Sequence, residues 1–452
     1  MSKSIKIRKG LDINLIGEAD KVVIDAPRAK TYALKPVDFH GVIPKMVLKV
    51  GDKVKAGGVV FKSKYNMDIN FVSPVSGTLK DVVRGAKRKI LSVVIEADNV
   101  DEYETINVPS IDGMDAESAK QFLMTTGLWP LIKMRPLDVI AKATDTPSAI
   151  YISGFDSKPL AADYDYTLHG KDKEFQTGID ILKKLTTGAV HLTLKNGMAD
   201  NALKGVKGCT INSISGPHPA GNVGVQIHHI KPLNKGEVVW VVNAQDVAMI
   251  GQTALTGKYD ATRLFALTGE KAKNRKYYRA LIGAEVGTIT SGNIEKEGAR
   301  IISGNVLTGY TTTEEDHIGF YHSQLTVLKD GNEHKFFLTN GWLGLGFGRF
   351  SVSRAYPGWL TPKKKWSVDT NLNGEERAFV VTEQYEKVFP FDIFPVQLVK
   401  AAITSDIDKL EQLGIYEVAP EDFALCEVIC TSKIDSQKYI REALDLIEKE
   451  CF

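Results

Sequence analysis

Residues 42–83 read VIPKMVLKVGDKVKAGGVVFKSKYNMDINFVSPVSGTLKDVV, and residues 84–96 continue RGAKRKILSVVIE. Short Val- and Ile-rich runs alternate here with Gly51-Asp52, Gly57-Gly58 and Ser76-Gly77. Branched side chains favour a pleated backbone, and such dipeptides favour tight reversals, so the stretch predicts hairpins closed into a small β barrel. Working outward, it predicts a β domain over 1–105.

The spacing Gly51-Asp52-x-Val54-x-x-Gly57, followed by Ser73-Pro74-Val75-Ser76-Gly77, resembles biotinyl and lipoyl carrier domains. In that family a lysine at a hairpin tip carries the cofactor. Here the tip position falls on Asn66, and Lys64 stands two residues too early. The resemblance therefore implies the fold without the carrier chemistry.

C-terminal to this unit, DAESAKQFLMTTGLW opens with residues suited to a helix N-terminus and stops at Trp129-Pro130, predicting a helical connector over 106–148. Strand-like AIYISG, AVHLTL and VVWVVN alternate with helix-like FQTGIDILKKLTTG and AQDVAMIGQTALTG, so 149–260 is expected to be a Rossmann-like α/β domain. Residues 261–375 return to β runs (RLFALTG, ARIISGNVL, QLTVLKDG) ahead of the Gly-rich GWLGLGFGRF, which suits a β-grasp-like (SLBB-like) domain. Residues 376–452 place apolar residues three and four apart and predict a helical bundle. The whole is a multidomain α/β and α+β chain, as 452 residues require.

Composition excludes several functions. A net charge of +2, with 57 basic against 55 acidic residues, gives no field to attract a nucleic acid. No run approaches the roughly 18 apolar residues of a membrane helix, and the basic opening lacks a signal-peptide core, so a cytoplasmic location is expected. Cys209, Cys426, Cys430 and Cys451 are too few for a disulfide framework.

Individual motifs weigh less than they first suggest. GQTALTGKYD puts five residues between Gly251 and Gly257-Lys258, one more than a phosphate loop has, and Tyr259 stands where Ser or Thr belongs; the reading is a helix ending at Gly257. Cys426 and Cys430 would share a helix face, yet two thiols do not make an iron–sulfur or zinc site. His228 and His229, adjacent on an expected strand, would face opposite ways, and His317 and His322 lack an HExxH context, so no metal is expected. His218, in SGPHPAGNVG, is a candidate binding-loop residue because prolines fix and glycines thin the backbone around it. Lys363-Lys364-Lys365-Trp366, with Trp359 upstream, is read as a solvated loop.

KIRKGLDINLIG (6–17), RGAKRKILSVVIE, TTGLWPLIKMRP (125–136), SGPHPAGNVG (215–224), ARIISGNVLTG (299–309) and DFALCEVICTSK (422–433) jointly resemble the A-subunit family of the sodium-translocating NADH:quinone oxidoreductase. A more distant similarity extends to the flavin-binding subunit of complex I and the C subunit of the Rnf complex. Those relatives carry a glycine-rich flavin loop where this chain has GLWPLIKMRP, whose bulky side chains would keep the backbone from a flavin phosphate. The resemblance implies a peripheral subunit on the cytoplasmic face of the bacterial inner membrane. Its partners would be five other subunits, above all the membrane-embedded one with the quinone site. It would carry no covalent cofactor, with FMN, FAD and iron–sulfur centres held by those partners. Quinone, either ubiquinone or menaquinone, would be the substrate. The expected contacts are Gly127, Leu128, Trp129, Lys133, Met134, Arg135, Pro136 and His218, with Trp129 as a flat apolar wall and Lys133 and Arg135 as donors. No catalytic residue is assigned, and the competing reading is a scaffold subunit without a small-molecule site.

Overall fold

A computed structural model describes residues 2–197, 202–331, 343, 346–352 and 356–451. The carrier-like stretch forms two small sheets. One orders Thr31–Leu34, Ile90–Ala97, Gly77–Arg84 and Lys53–Val54; the other orders Pro44–Met46, Val59–Ser63 and Asn70–Val72. Phe61 and Phe71 stack between their strands with ring centroids 4.6 Å apart. Asn66 lies in the reversal after Val59–Ser63, its carbonyl accepting from the Ile69 amide at 3.2 Å.

A mixed seven-stranded sheet follows. Its spatial order is Ser4–Lys6, Thr210–Ser215, Ala189–Lys195, Ala149–Ser153, Val239–Val242, Ile132–Arg135 and Val139–Ile140. The first five run parallel, and Ile132–Arg135 lies antiparallel to Val239–Val242. Helices Asp172–Lys184 and Ala244–Thr256 pack against each other. A Cβ on Gly251 would fall 1.7 Å from the Glu174 carbonyl, and one on Gly178 would fall 2.1 Å from that of Val247, so the helices meet backbone to backbone. Ala244–Thr256 ends at Gly257 in the left-handed region, as the count of GQTALTGKYD predicts.

The third sheet orders Tyr310–Thr312, Ala299–Ser303, Gln324–Lys329, Thr262–Thr268, Lys276–Leu281 and Asp20–Asp25. Thus Ser4–Lys6 and Asp20–Asp25, which the sequence division groups with the barrel in 1–105, pair with strands of the other two sheets. The Gly-rich stretch 341–350 lies mostly outside the described residues. C-terminal helices Pro395–Ile403, Ile407–Gln412, Ala424–Ile429 and Ser436–Cys451 pack together.

One local expectation is corrected. His228 and His229 sit in helix Val223–Ile230, not on a strand. His228 Nδ1 lies 2.6 Å from Glu417 Oε2, and His229 Nδ1 lies 2.9 Å from the Val225 carbonyl four residues back. Cys426 and Cys430 are buried free thiols, with Cys430 just past the end of its helix.

Candidate functional site

A cavity of about 500 Å³ opens between the mixed sheet, the third sheet and the C-terminal helices. Strand Ile132–Arg135 supplies its floor, and the two-residue alternation of a strand decides which side chains reach it. Ile132 and Met134 point into the core with no exposure, while Lys133 and Arg135 line the cavity. The register fixing this is Lys133 opposite Val241 and Arg135 opposite Val239. Leu137 and Asp138 both take positive φ, and the turn brings Asp138 back to 3.9 Å from Lys133 and 3.6 Å from Arg135.

Arg135 is buried and surrounded by acids. Its Nη2 donates to Glu421 Oε1 at 2.9 Å, and its Nη1 lies 3.5 Å from Asp422 Oδ2. Lys158 lies 3.7 Å from Asp156 and 3.5 Å from Glu421. Burial opposes its charge, but the neighbouring Asp156 and Glu421 prevail and raise its pKa, so it remains a cation. Asp422 shows the opposite balance: desolvation outweighs Arg135 and pushes its carboxyl up to about 6.

Lys133 differs from both. Its Nζ stands 4.5 Å from the ring centre of Tyr321 and reaches only Asp138, beyond hydrogen-bond distance. Tyr321 is held from below by donating to the Pro130 carbonyl at 2.7 Å. Phe155, Tyr164, Tyr310 and Phe320 add aromatic surface. Burial keeps Tyr164 neutral, with its pKa up to about 12, and Asn243 donates to its oxygen at 2.7 Å. Asp38 and Asp246 also face the cavity, both with pKa raised by burial; Asp246 is paired with Arg263. The lining thus carries three cations (Lys133, Arg135, Lys158) against five acids (Asp38, Asp138, Asp156, Asp246, Glu421).

The sequence-predicted residues separate accordingly. Lys133 and Arg135 line the cavity; Gly127, Leu128, Trp129, Met134, Pro136 and His218 do not. Trp129 has no exposed surface, donates Nε1–H to the Ala141 carbonyl at 2.7 Å, and meets Trp240 edge to face at 5.3 Å. Gly127, at φ 75°, sits where a Cβ would strike Val72, letting the connector touch the barrel. His218 is buried behind the cavity: its Nδ1 lies 2.9 Å from Ser157 Oγ, which accepts from the Gly221 amide at 2.8 Å. It holds together two loops whose neighbours, Asp156, Lys158 and Asn222, are lining residues.

Residues 5–98 match the NqrA N-terminal barrel-sandwich hybrid domain, 114–259 the NqrA second alpha/beta domain, and 264–314 the NQRA C-terminal domain. The chain is 35% identical to the NqrA protein of the Na(+)-translocating NADH-quinone reductase of Shewanella amazonensis, over 99% of this chain and all of that one. The corresponding protein of Rhodopirellula baltica is 37% identical over 98% of each, and that of Neisseria meningitidis serogroup A 34% over 99% and 100%. This chain belongs to the NqrA family.

Members of the family are subunits of an oxidoreductase complex, Na(+)-translocating NADH-quinone reductase. Among solved structures, an NAD+-reducing [NiFe]-hydrogenase in the air-oxidised state is a faint likeness, at 12% identity and TM-score 0.36 over 77% of this chain and 67% of that one. The matched NqrA regions cover the barrel, the mixed sheet and part of the third sheet, three of the units whose side chains meet around the cavity and its supports. Sequence reasoning missed Asp246, Tyr321, Lys158 and Glu421. Asp246 reads as an ordinary first-turn acid of a helix, and Tyr321 reaches Pro130 across 191 residues, a separation that leaves no local signal.

Proposed function

We propose that this chain is the NqrA component of a sodium pump that passes electrons from NADH to quinone, and that its cavity receives the quinone head. The observation carrying this reading is the pairing of Lys133 with the face of Tyr321 inside a cavity whose acids outnumber its cations. A flavin phosphate or a dinucleotide needs surplus positive charge, which this lining lacks. A neutral, flat ligand with two carbonyls needs aromatic walls and a few uncommitted donors, which Lys133 and Tyr164 supply. In this reading the chain sits at the cytoplasmic face of the membrane, FMN, FAD and iron–sulfur centres reside in the other subunits, and the sheet over 149–260 is Rossmann-like with a β-grasp-like neighbour.

The test is quinone affinity of Lys133→Ala, followed by fluorescence or calorimetry beside the melting temperature. Loss of a charged donor costs about 1.5 to 3 kcal/mol, or roughly a tenfold to hundredfold weaker affinity. Lys133 is partly exposed, so the melting temperature should hold. Unchanged affinity in both Lys133→Ala and Tyr321→Leu would leave the scaffold reading in its place.

A further inference from the structure

Between Glu333 and Asp369 the sequence contains no acidic residue, yet it has six Lys or Arg and eight aromatic residues. At the chain's overall frequency, 55 acids in 452 residues, about four would be expected over those 35 positions. The described part of this stretch shows how the imbalance is displayed. One 3-10 turn, Pro357–Leu360, presents Trp359 at 52% exposure and Leu360 at 62%. Phe347, 67% exposed, is tied to the same surface because Lys364 Nζ donates to its carbonyl at 2.8 Å.

The surface is anchored from beneath. Trp366 is 5% exposed, donates its amide to the Asn14 carbonyl at 2.7 Å and accepts from the Ile16 amide at 3.1 Å. Lys364 Nζ also stands 4.3 Å from the Trp366 ring centre. One tryptophan therefore fixes the segment while the other faces solvent. Lys365 is paired with Glu18 at 2.6 Å, but Lys363 and Lys364 have no acidic partner among the described residues.

Large apolar side chains held outward cost hydration free energy unless something covers them. Protein interface cores are depleted of lysine, whereas the headgroup region of a bilayer accepts tryptophan together with lysine. We propose that the face formed by Phe347, Trp359 and Leu360, rimmed by Lys363 and Lys364, lies on the anionic headgroup surface of a bilayer. The aromatic and aliphatic groups enter the headgroup layer while the lysines meet lipid phosphates. Among the described residues no helix is long and apolar enough to cross a membrane, so attachment by a face suits the chain. The inference rests on the proposed place in a membrane-bound pump, and not on the quinone contact.

The test is flotation of the full chain with vesicles of phosphatidylglycerol and phosphatidylethanolamine, beside vesicles of phosphatidylcholine alone. Binding to the anionic vesicles that weakens with salt is expected. Lys363→Glu with Lys364→Glu should weaken it roughly thirtyfold, and Trp359→Ser with Leu360→Ser at least about tenfold. These side chains are exposed, so all variants should melt with the parent; a variant that does not is replaced by Lys363→Gln with Lys364→Gln, expected to weaken binding about tenfold. Absence of flotation, equal binding to both vesicle types, or indifference to both double variants overturns the proposal. So does self-association of the chain that the Trp359→Ser with Leu360→Ser variant abolishes, since the face would then join two copies. Quinone affinity measured on the same samples keeps the two readings apart: intact affinity with no flotation removes only the docking face.

Discussion

At the scale of single residues, Trp129 and Lys133 exchange the importance their chemistry suggests. The sequence offers GLWPLIKMRP as one surface, and its indole is the largest flat group in it. Pairing with Val239–Val242 turns the second half of that segment into a strand, whose alternation sends Lys133 and Arg135 to the cavity and Met134 to the core, while Trp129 packs on Trp240. The donors were therefore legible from residue type, but the wall was not, because Tyr321 reaches it from a distant sheet. Trp129→Ala is expected to cost about 3 to 5 kcal/mol of stability by opening a core cavity. Denaturant melts would show this, while quinone affinity in the folded fraction should stay unchanged.

At the scale of elements, glycines carried information that could be read and information that could not. Gly257 announces its role by spacing, since a helix needs a residue free to take positive φ at its end. Gly257→Ala should cost about 1 kcal/mol, measured by thermal melting. Gly251 looks like the first glycine of a failed phosphate loop, and only the approach of Asp172–Lys184 shows why no side chain fits there. Gly251→Ala forces the helices apart and should cost about 1 to 3 kcal/mol or more, with the loss coming from packing rather than from helix propensity. The reverse failure occurs at VGVQIHHI, where Val223, Val225 and Ile227 alternate as in a strand while the segment folds as a helix. Period-two spacing over so short a run does not outweigh tertiary packing.

At the scale of the whole molecule, three buried histidines govern the response to acid. Burial lowers the pKa of His218 and His317 to about 4 and that of His322 to about 3. An unfolded histidine takes its proton near pH 6.5, so the unfolded chain gains protons first. Stability from these sites is full above pH 6.5 and is lost as the pH falls toward 4. Asp422, raised to about 6, acts in the opposite sense: the folded state binds its proton more readily, so stability from that site rises as the pH falls through 6. A single substitution isolates one term. His322→Gln should lose less stability than the parent between pH 7 and pH 5, by about 2 kcal/mol, as read from denaturant melts at each pH. Equal losses would show that His322 titrates normally.

The strand Ser4–Lys6 hydrogen-bonds beside Thr210–Ser215, 209 residues away, and Asp20–Asp25 pairs with Lys276–Leu281. On a ribosome adding about 5 to 20 residues per second, Ser4–Lys6 waits on the order of ten to forty seconds for its neighbour to emerge. During that interval the barrel between them can close, but the first strand has nowhere to go. Vectorial synthesis thus leaves each later sheet incomplete until a segment made long before returns to its edge. Stalled or truncated translation products would then carry an open edge, which is what quality-control machinery recognises.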